Sequence, residues 1–285
     1  MDDLSDAGSI PAASTKARQT AGPRWGRPFR PPTFRLPKHP PGTTLPRPVN
    51  DTPVSLASNL ASVRARIAAA ERRSGRAQGS VTLIGVVKTV PAETLAAAVA
   101  LGLTDLGENR VQEAEGHQLG VTRQAARWHM IGHLQRNKAG RAVELFDVVH
   151  GIDDAELAQA LARRAQSAGR RMSVLIEVNV SGEASKFGVA PGGVLKLAEQ
   201  VESIAGLSLV GLMTVGAPVA LAEGARAGFA RLRELRDDVA RGLGRPFAEL
   251  SMGMSGDYEV AVEEGATMVR VGSALFGARP AQGGG

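Results

Sequence analysis

The sequence predicts an α/β fold, a single (β/α)8 barrel of the TIM type, behind an N-terminal arm of different composition. Short apolar runs of strand length recur eight times from residue 81 onward, and each but the last precedes a segment with helical spacing. The runs are apolar on both faces, the pattern of a parallel sheet covered by helices. Residues able to do chemistry fall at the carboxyl ends of these runs, where such barrels carry their sites. A six- or seven-stranded doubly wound sheet is the alternative reading of the same alternation.

The chain has 285 residues, and its net charge of +6 is unevenly placed. Residues 1–50 hold eight basic and three acidic side chains, which leaves only +1 for the remainder. The same stretch contains ten of the sixteen prolines. Such a composition buries too little apolar surface to offset the entropy of ordering, so residues 1–52 are expected to be a disordered arm. The barrel is assigned to residues 53–280 and a flexible tail to 281–285.

In chain order, Leu56, Leu60, Val63, Ile67 and Ala70 recur at helical spacing through residues 55–76. The first strand is the run ending Val86-Val87-Lys88, and Pro91 opens the next helix, which runs to Leu101. Strands then fall at 104–107, 127–132, 146–150, 172–180, 207–215, 248–252 and 267–271. Helices fall between them at 110–119, 138–145, 155–168, 193–204, 221–242 and 258–264. Asp153 is the expected cap of the helix beginning at Ala155.

Several functions are excluded early. Without cysteine there are no disulfides, thiolate metal sites or cysteine nucleophiles. No histidine–carboxylate cluster has metal-ligand spacing, so no metal is expected. One tyrosine and two tryptophans make base stacking an unsuitable mode of work, and the nearly neutral barrel is expected to bind neither nucleic acid nor membrane. No apolar run spans a bilayer and no secretory signal opens the chain, so the protein is expected in the cytoplasm.

The strand ends bring Lys88, Asn109, His133, Asn179, Thr214, Ser255, Gly272 and Ser273 to one face. A lysine at a strand end acts as a nucleophile only when desolvation or a cationic neighbour lowers its pKa from about 10.4. The loops after the seventh and eighth strands read Met252-Gly253-Met254-Ser255-Gly256 and Arg270-Val271-Gly272-Ser273-Ala274. Glycines and small hydroxyls there expose backbone N–H groups to an anion. Together with Lys88 they suggest a phosphorylated aldehyde, its carbonyl on the lysine and its phosphate across the mouth.

With these residues in place, the chain resembles the pyridoxal phosphate homeostasis proteins. The resemblance runs from about Ser55 to Arg279. It rests on Val87-Lys88-Thr89-Val90-Pro91, Leu106-Gly107-Glu108-Asn109-Arg110-Val111-Gln112-Glu113 and Trp128-His129-Met130-Ile131-Gly132-His133-Leu134-Gln135-Arg136-Asn137-Lys138. It continues through Ser181-Gly182-Glu183-Ala184-Ser185-Lys186-Phe187-Gly188, Gly211-Leu212-Met213-Thr214, Leu250-Ser251-Met252-Gly253-Met254-Ser255-Gly256-Asp257 and the segment from Val269 to Gly277.

The resemblance implies a barrel like the N-terminal domain of alanine racemase, holding pyridoxal 5′-phosphate as a Schiff base. On it, Lys88 matches the lysine of that linkage, and Ser255, Gly272 and Ser273 match the phosphate binders. Arg270 matches the residue facing the pyridine nitrogen and Asn109 a residue near the ring; Met254, outside that match, is assigned beside the ring, with packing as its other reading. Val87 and Val90 depart from members that carry serine and a second lysine there. PLP-dependent apoenzymes are the implied recipients, and a monomer is expected.

No catalytic residue is assigned. An arginine facing the ring nitrogen disfavours its protonation and weakens the electron sink that transamination needs. Racemisation needs a second base, and the one tyrosine, Tyr258, is expected on a helix rather than over the ring. The expectation is a non-catalytic carrier acting in PLP homeostasis, with a PLP-dependent racemase or lyase as the alternative. Lys186 is expected as an exposed loop lysine, with a role in cofactor exchange as its other reading. His133 and Lys138 are expected in a loop, His129 packed within a strand, and Glu108 either holding Asn109 or capping the next helix.

Overall fold

The computed structural model describes residues 52–183, 186–216 and 221–277. The expected arm up to residue 51 and the tail at 281–285 lie outside the described residues. Eight parallel strands close into a barrel in sequence order: β1 (Thr82–Val86), β2 (Asp105–Glu108), β3 (Arg127–Met130), β4 (Val148–Ile152), β5 (Met172–Glu177), β6 (Leu207–Met213), β7 (Glu249–Ser251) and β8 (Met268–Val271). Closure is made by β1 against β8, with Ile84 opposite Arg270, so the doubly wound alternative is set aside.

The helices α1 (Thr52–Arg73), α2 (Ala92–Ala100), α3 (Val111–Gln118), α4 (Ala139–Leu145), α5 (Ala155–Ser167), α6 (Val194–Glu202), α7 (Arg226–Gly242), α8 (Tyr258–Glu263) and α9 (Ser273–Phe276) form the outer layer. The main apolar core lies between this layer and the strands, as the two-faced burial of a parallel sheet requires. A second, small cluster of Val148, Leu175 and Met213 fills part of the barrel interior. Buried Ile84 and Met268 lie outside the main core, and among the strands stand the buried polar side chains of His129, His150, Ser251 and Arg270. α1 packs on α8, α9 and α2, and its Asn59 Nδ2 donates to Leu275 O at 3.0 Å. It thereby covers the seam where first and last strands meet.

Three expectations are corrected. Asp154, not Asp153, caps α5: its carboxylate accepts from Leu157 N at 2.6 Å, satisfying a free donor of the first turn. The fifth strand stops at Glu177 rather than at 180, because beyond it only a single bridge, Val178 to Val189, continues the pairing. A four-residue helix, α9, follows the last strand, where none was expected.

The candidate cofactor site at the barrel mouth

Lys88 sits two residues past the end of β1, in a turn closed by Val90 N donating to Val87 O at 2.9 Å. The next residue, Thr89, has φ +63° and is the one non-glycine with positive φ among the described residues. That conformation costs a β-branched residue on the order of 1–2 kcal/mol, and it persists only where its surroundings hold it. Val87 is fully buried, and its N–H donates to Gly107 O at 3.0 Å, which ties the turn to β2. The result is a half-buried lysine whose direction is set by a strained backbone.

Across the mouth, the β7 and β8 loops meet. Gly272 N and Ala274 N converge on Ser255 Oγ at 3.1 and 3.3 Å, so two backbone donors already point at one acceptor oxygen. A Cβ added at Gly272 would come within 3.4 Å of Val86 Cβ, narrowing the space between this loop and β1. Ser273 is exposed beside it, Met254 is partly exposed above, and Asn109 is half-buried at the end of β2.

Arg270 rises from β8 beneath these groups and is almost wholly buried. Its Nη1 donates to Ser251 Oγ and its Nη2 to Thr214 O, both at 2.7 Å. Burial pulls its pKa down to about 10, partly opposed by the charges of Glu177 and Asp257, so it stays a cation at neutral pH. Glu177, at the end of β5, is raised to about 7 by burial and by Asp153, and its Oε2 is buried without a hydrogen-bond partner.

Behind Arg270 a chain of hydrogen bonds crosses the barrel. Ser251 Oγ lies 2.9 Å from His150 Nδ1, His150 Nε2 lies 3.0 Å from His129 Nδ1, and His129 Nε2 lies 3.1 Å from Asp105 Oδ1. One tautomer set satisfies every contact. Asp105 only accepts, so His129 carries its proton on Nε2, His150 carries its own on Nε2, and Ser251 donates to Nδ1. Burial, with the Arg270 cation adding to it, holds His150 well below the usual histidine range, in keeping with a neutral ring. Burial alone would raise Asp105, but its bond and charge interactions with His129 and Arg127 hold it below the ordinary range.

The sequence-predicted site residues thus share one end of the barrel. Glu108 does hold Asn109, accepting its backbone N–H at 3.2 Å, and His129 is buried as expected. Lys186 is not the exposed loop lysine anticipated: its Nζ pairs with Glu183 at 2.9 Å and the side chain is mostly covered. His133 stacks on Phe187 at 4.0 Å between centroids, and Lys138 ends a short 3-10 turn at Arg136–Lys138. Sequence reasoning missed His150, Ser251, Glu177 and His117. For the three strand residues the only signal was inward placement by alternation, which does not say which polar residue meets which, and His117, on α3, carried no such signal.

These features define a TIM-type barrel that brings a lysine, a guanidinium and two convergent backbone donors to one end. The chain matches the family described as alanine racemase, N-terminal domain, over residues 58–280. It is 45% identical over 225 residues to the pyridoxal phosphate homeostasis protein of Pseudomonas aeruginosa, covering 79% of this chain and 96% of that one. The protein of that name from Aquifex aeolicus is 40% identical over 220 residues, covering 77% and 96%. The solved structure of PipY from Synechococcus elongatus with PLP bound superposes with a TM-score of 0.67 at 36% identity, covering 78% of this chain and all of that one. Alanine racemase of Clostridium difficile shares the fold at 16% identity and TM-score 0.63. The chain belongs to the alanine racemase N-terminal domain family, and within it to the pyridoxal phosphate homeostasis proteins.

Proposed function

We propose that the chain binds pyridoxal 5′-phosphate as a Schiff base on Lys88 and serves its homeostasis in the cytoplasm, without turnover of its own. The observation carrying this reading is the convergence at one mouth of a strained-turn lysine, the Arg270 guanidinium and the Gly272 and Ala274 N–H groups. Ser255, Gly272 and Ser273 would take the phosphate, Arg270 would face the ring nitrogen, and Asn109 and Met254 would flank the ring. When bound, the cofactor supplies an electrophilic aldehyde.

The protein's own groups restrict the chemistry open to that aldehyde. Arg270 is fixed by Ser251 and Thr214 and remains cationic, so it opposes a proton on the nitrogen it faces. Tyr258 is buried at the start of α8 with the Arg66 guanidinium 5.3 Å from its ring centroid, which supports a packing role rather than a second base. These two features favour a carrier over a racemase or lyase. PLP-dependent apoenzymes are the proposed recipients, and the carrier is proposed to act as a monomer.

The test is the visible spectrum with pyridoxal phosphate, before and after borohydride, beside Lys88→Ala. The expected outcome is a yellow band in the wild type alone, with the reduced adduct mapped to Lys88. A band of equal strength in Lys88→Ala would sink the assignment. Added amino acids that the wild type converts catalytically would revive the racemase or lyase reading.

A further inference from the structure

The turn that carries Lys88 is held at its far end by a histidine from α3. His117, on α3, places Nε2 at 2.9 Å from Val90 O and Nδ1 at 2.6 Å from Glu108 Oε1. Glu108 is completely buried, and its other oxygen accepts from Asn109 N. The Glu113 carboxyl, from α3, adds negative charge beside it, and Glu113 Oε2 is buried without a partner. Arg110 Nη1 stands 3.9 Å from Glu113 Oε1, and Lys88 is the other nearby cation acting on Glu108.

Proton counting fixes what this arrangement requires. Val90 O can only accept, so Nε2 of His117 must carry hydrogen. The contact of 2.6 Å between Nδ1 and Oε1 then needs one proton more, on either atom. With it, the pair is neutral–neutral or imidazolium–carboxylate, and both are attractive. Without it, a buried carboxylate faces an imidazole lone pair on one side and Glu113 on the other.

We propose that Glu108 and His117 are positioning residues for Lys88: a single shared proton keeps them joined, and their union holds the strained 87–90 turn with the amine presented to the mouth. The inference rests on the cofactor reading above. Loss of that proton unseats His117 from Val90 O, lets Thr89 relax from positive φ, and moves the lysine out of place. Capture at Lys88 joins Nζ to the aldehyde carbon while both amine protons leave with the carbonyl oxygen as water, and release is the reverse addition of that water. Neither direction needs an oxidant or reductant. Both need the amine held where the phosphate cradle places the aldehyde. Burial and the Glu113 carboxyl push Glu108 up to about 8, which puts the change within reach of ordinary buffers.

The experiment compares wild type, Glu108→Gln and His117→Phe between pH 6.5 and 9.5. In the protein without cofactor, amide exchange at Val90 reports the turn, since that N–H closes it. Corrected for the intrinsic rate, protection should fall about tenfold per pH unit above the transition in the wild type. It should stay level in Glu108→Gln, whose amide donates to Nδ1 at any pH, and be low throughout in His117→Phe. Release of bound pyridoxal phosphate to an O-methylhydroxylamine trap should follow the same three patterns. Glu108→Gln with the wild-type pH profile in both readouts would overturn the proposal. A wild type that takes up no pyridoxal phosphate would sink the cofactor reading alone, because the exchange measurement still decides whether the proton holds the turn. Thermal melts matched between Glu108→Gln and wild type exclude a general loss of fold.

Discussion

Among the ionic networks of this barrel, one outside and one inside do different work. Outside, Glu259, Glu263 and Glu264 of the α8 region meet Arg66 and Arg73 of α1 and Arg226 and Arg233 of α7. These arginines are a third to a half exposed, so water and salt screen each pair to about 0–1 kcal/mol. Inside, Arg270, Ser251, His150, His129 and Asp105 form a single file in which every contact depends on its neighbour. There a missing partner leaves a buried polar group with nothing to bind. The outer set docks helices and tolerates change; the inner set fixes the cation of the mouth and does not.

Cutting the inner chain should produce the largest effect. His150→Leu keeps volume but leaves the Ser251 hydroxyl proton without its acceptor and His129 Nδ1 without its donor, and is expected to cost about 2–4 kcal/mol in urea unfolding. A loss below about 1 kcal/mol would mean that water repairs the chain. A middle effect comes from Glu177, whose raised pKa means the folded state holds a proton the unfolded chain gives up. Its unfavourable contribution therefore grows as pH rises from about 4.5 to about 7 and is absent below that range. Glu177→Gln should gain about 1–2 kcal/mol over wild type at pH 8 and nothing at pH 4. Equal curves would show that Arg270 compensates the charge fully. The smallest change belongs to the outside: Glu259→Gln should cost under about 1 kcal/mol, and 0.5 M salt should erase most of it.

The same contrast explains what could be read from the sequence. Largely apolar runs such as 81–87 announce strands because burial on both faces favours apolar residues. Eight of them, evenly separated by helical spacing, suffice for the closed barrel. Lys88, Asn109, Ser255, Gly272 and Ser273 were legible as neighbours because each ends or follows a strand. The inner chain was not, since His150 and Ser251 are 101 positions apart and alternation gives only the side each faces. Asp153 and Asp154 are adjacent acids at a helix start, and only the backbone angle decides which one reaches the Leu157 N–H. Lys186 reads as solvent-facing by its residue type, yet Glu183, three positions earlier, draws it against the loop.

The seam between β1 and β8 has a consequence for how this molecule is made. Its first strand has one permanent neighbour that is synthesised promptly and another that arrives nearly two hundred residues later, from Met268 onward. Until then the nascent chain exposes an unpaired strand edge, with α1 waiting for α8 and α9. Pairings of such long sequence separation form slowly. The interval before closure is thus the time of greatest exposure to aggregation, and the last strand to leave the ribosome ends it.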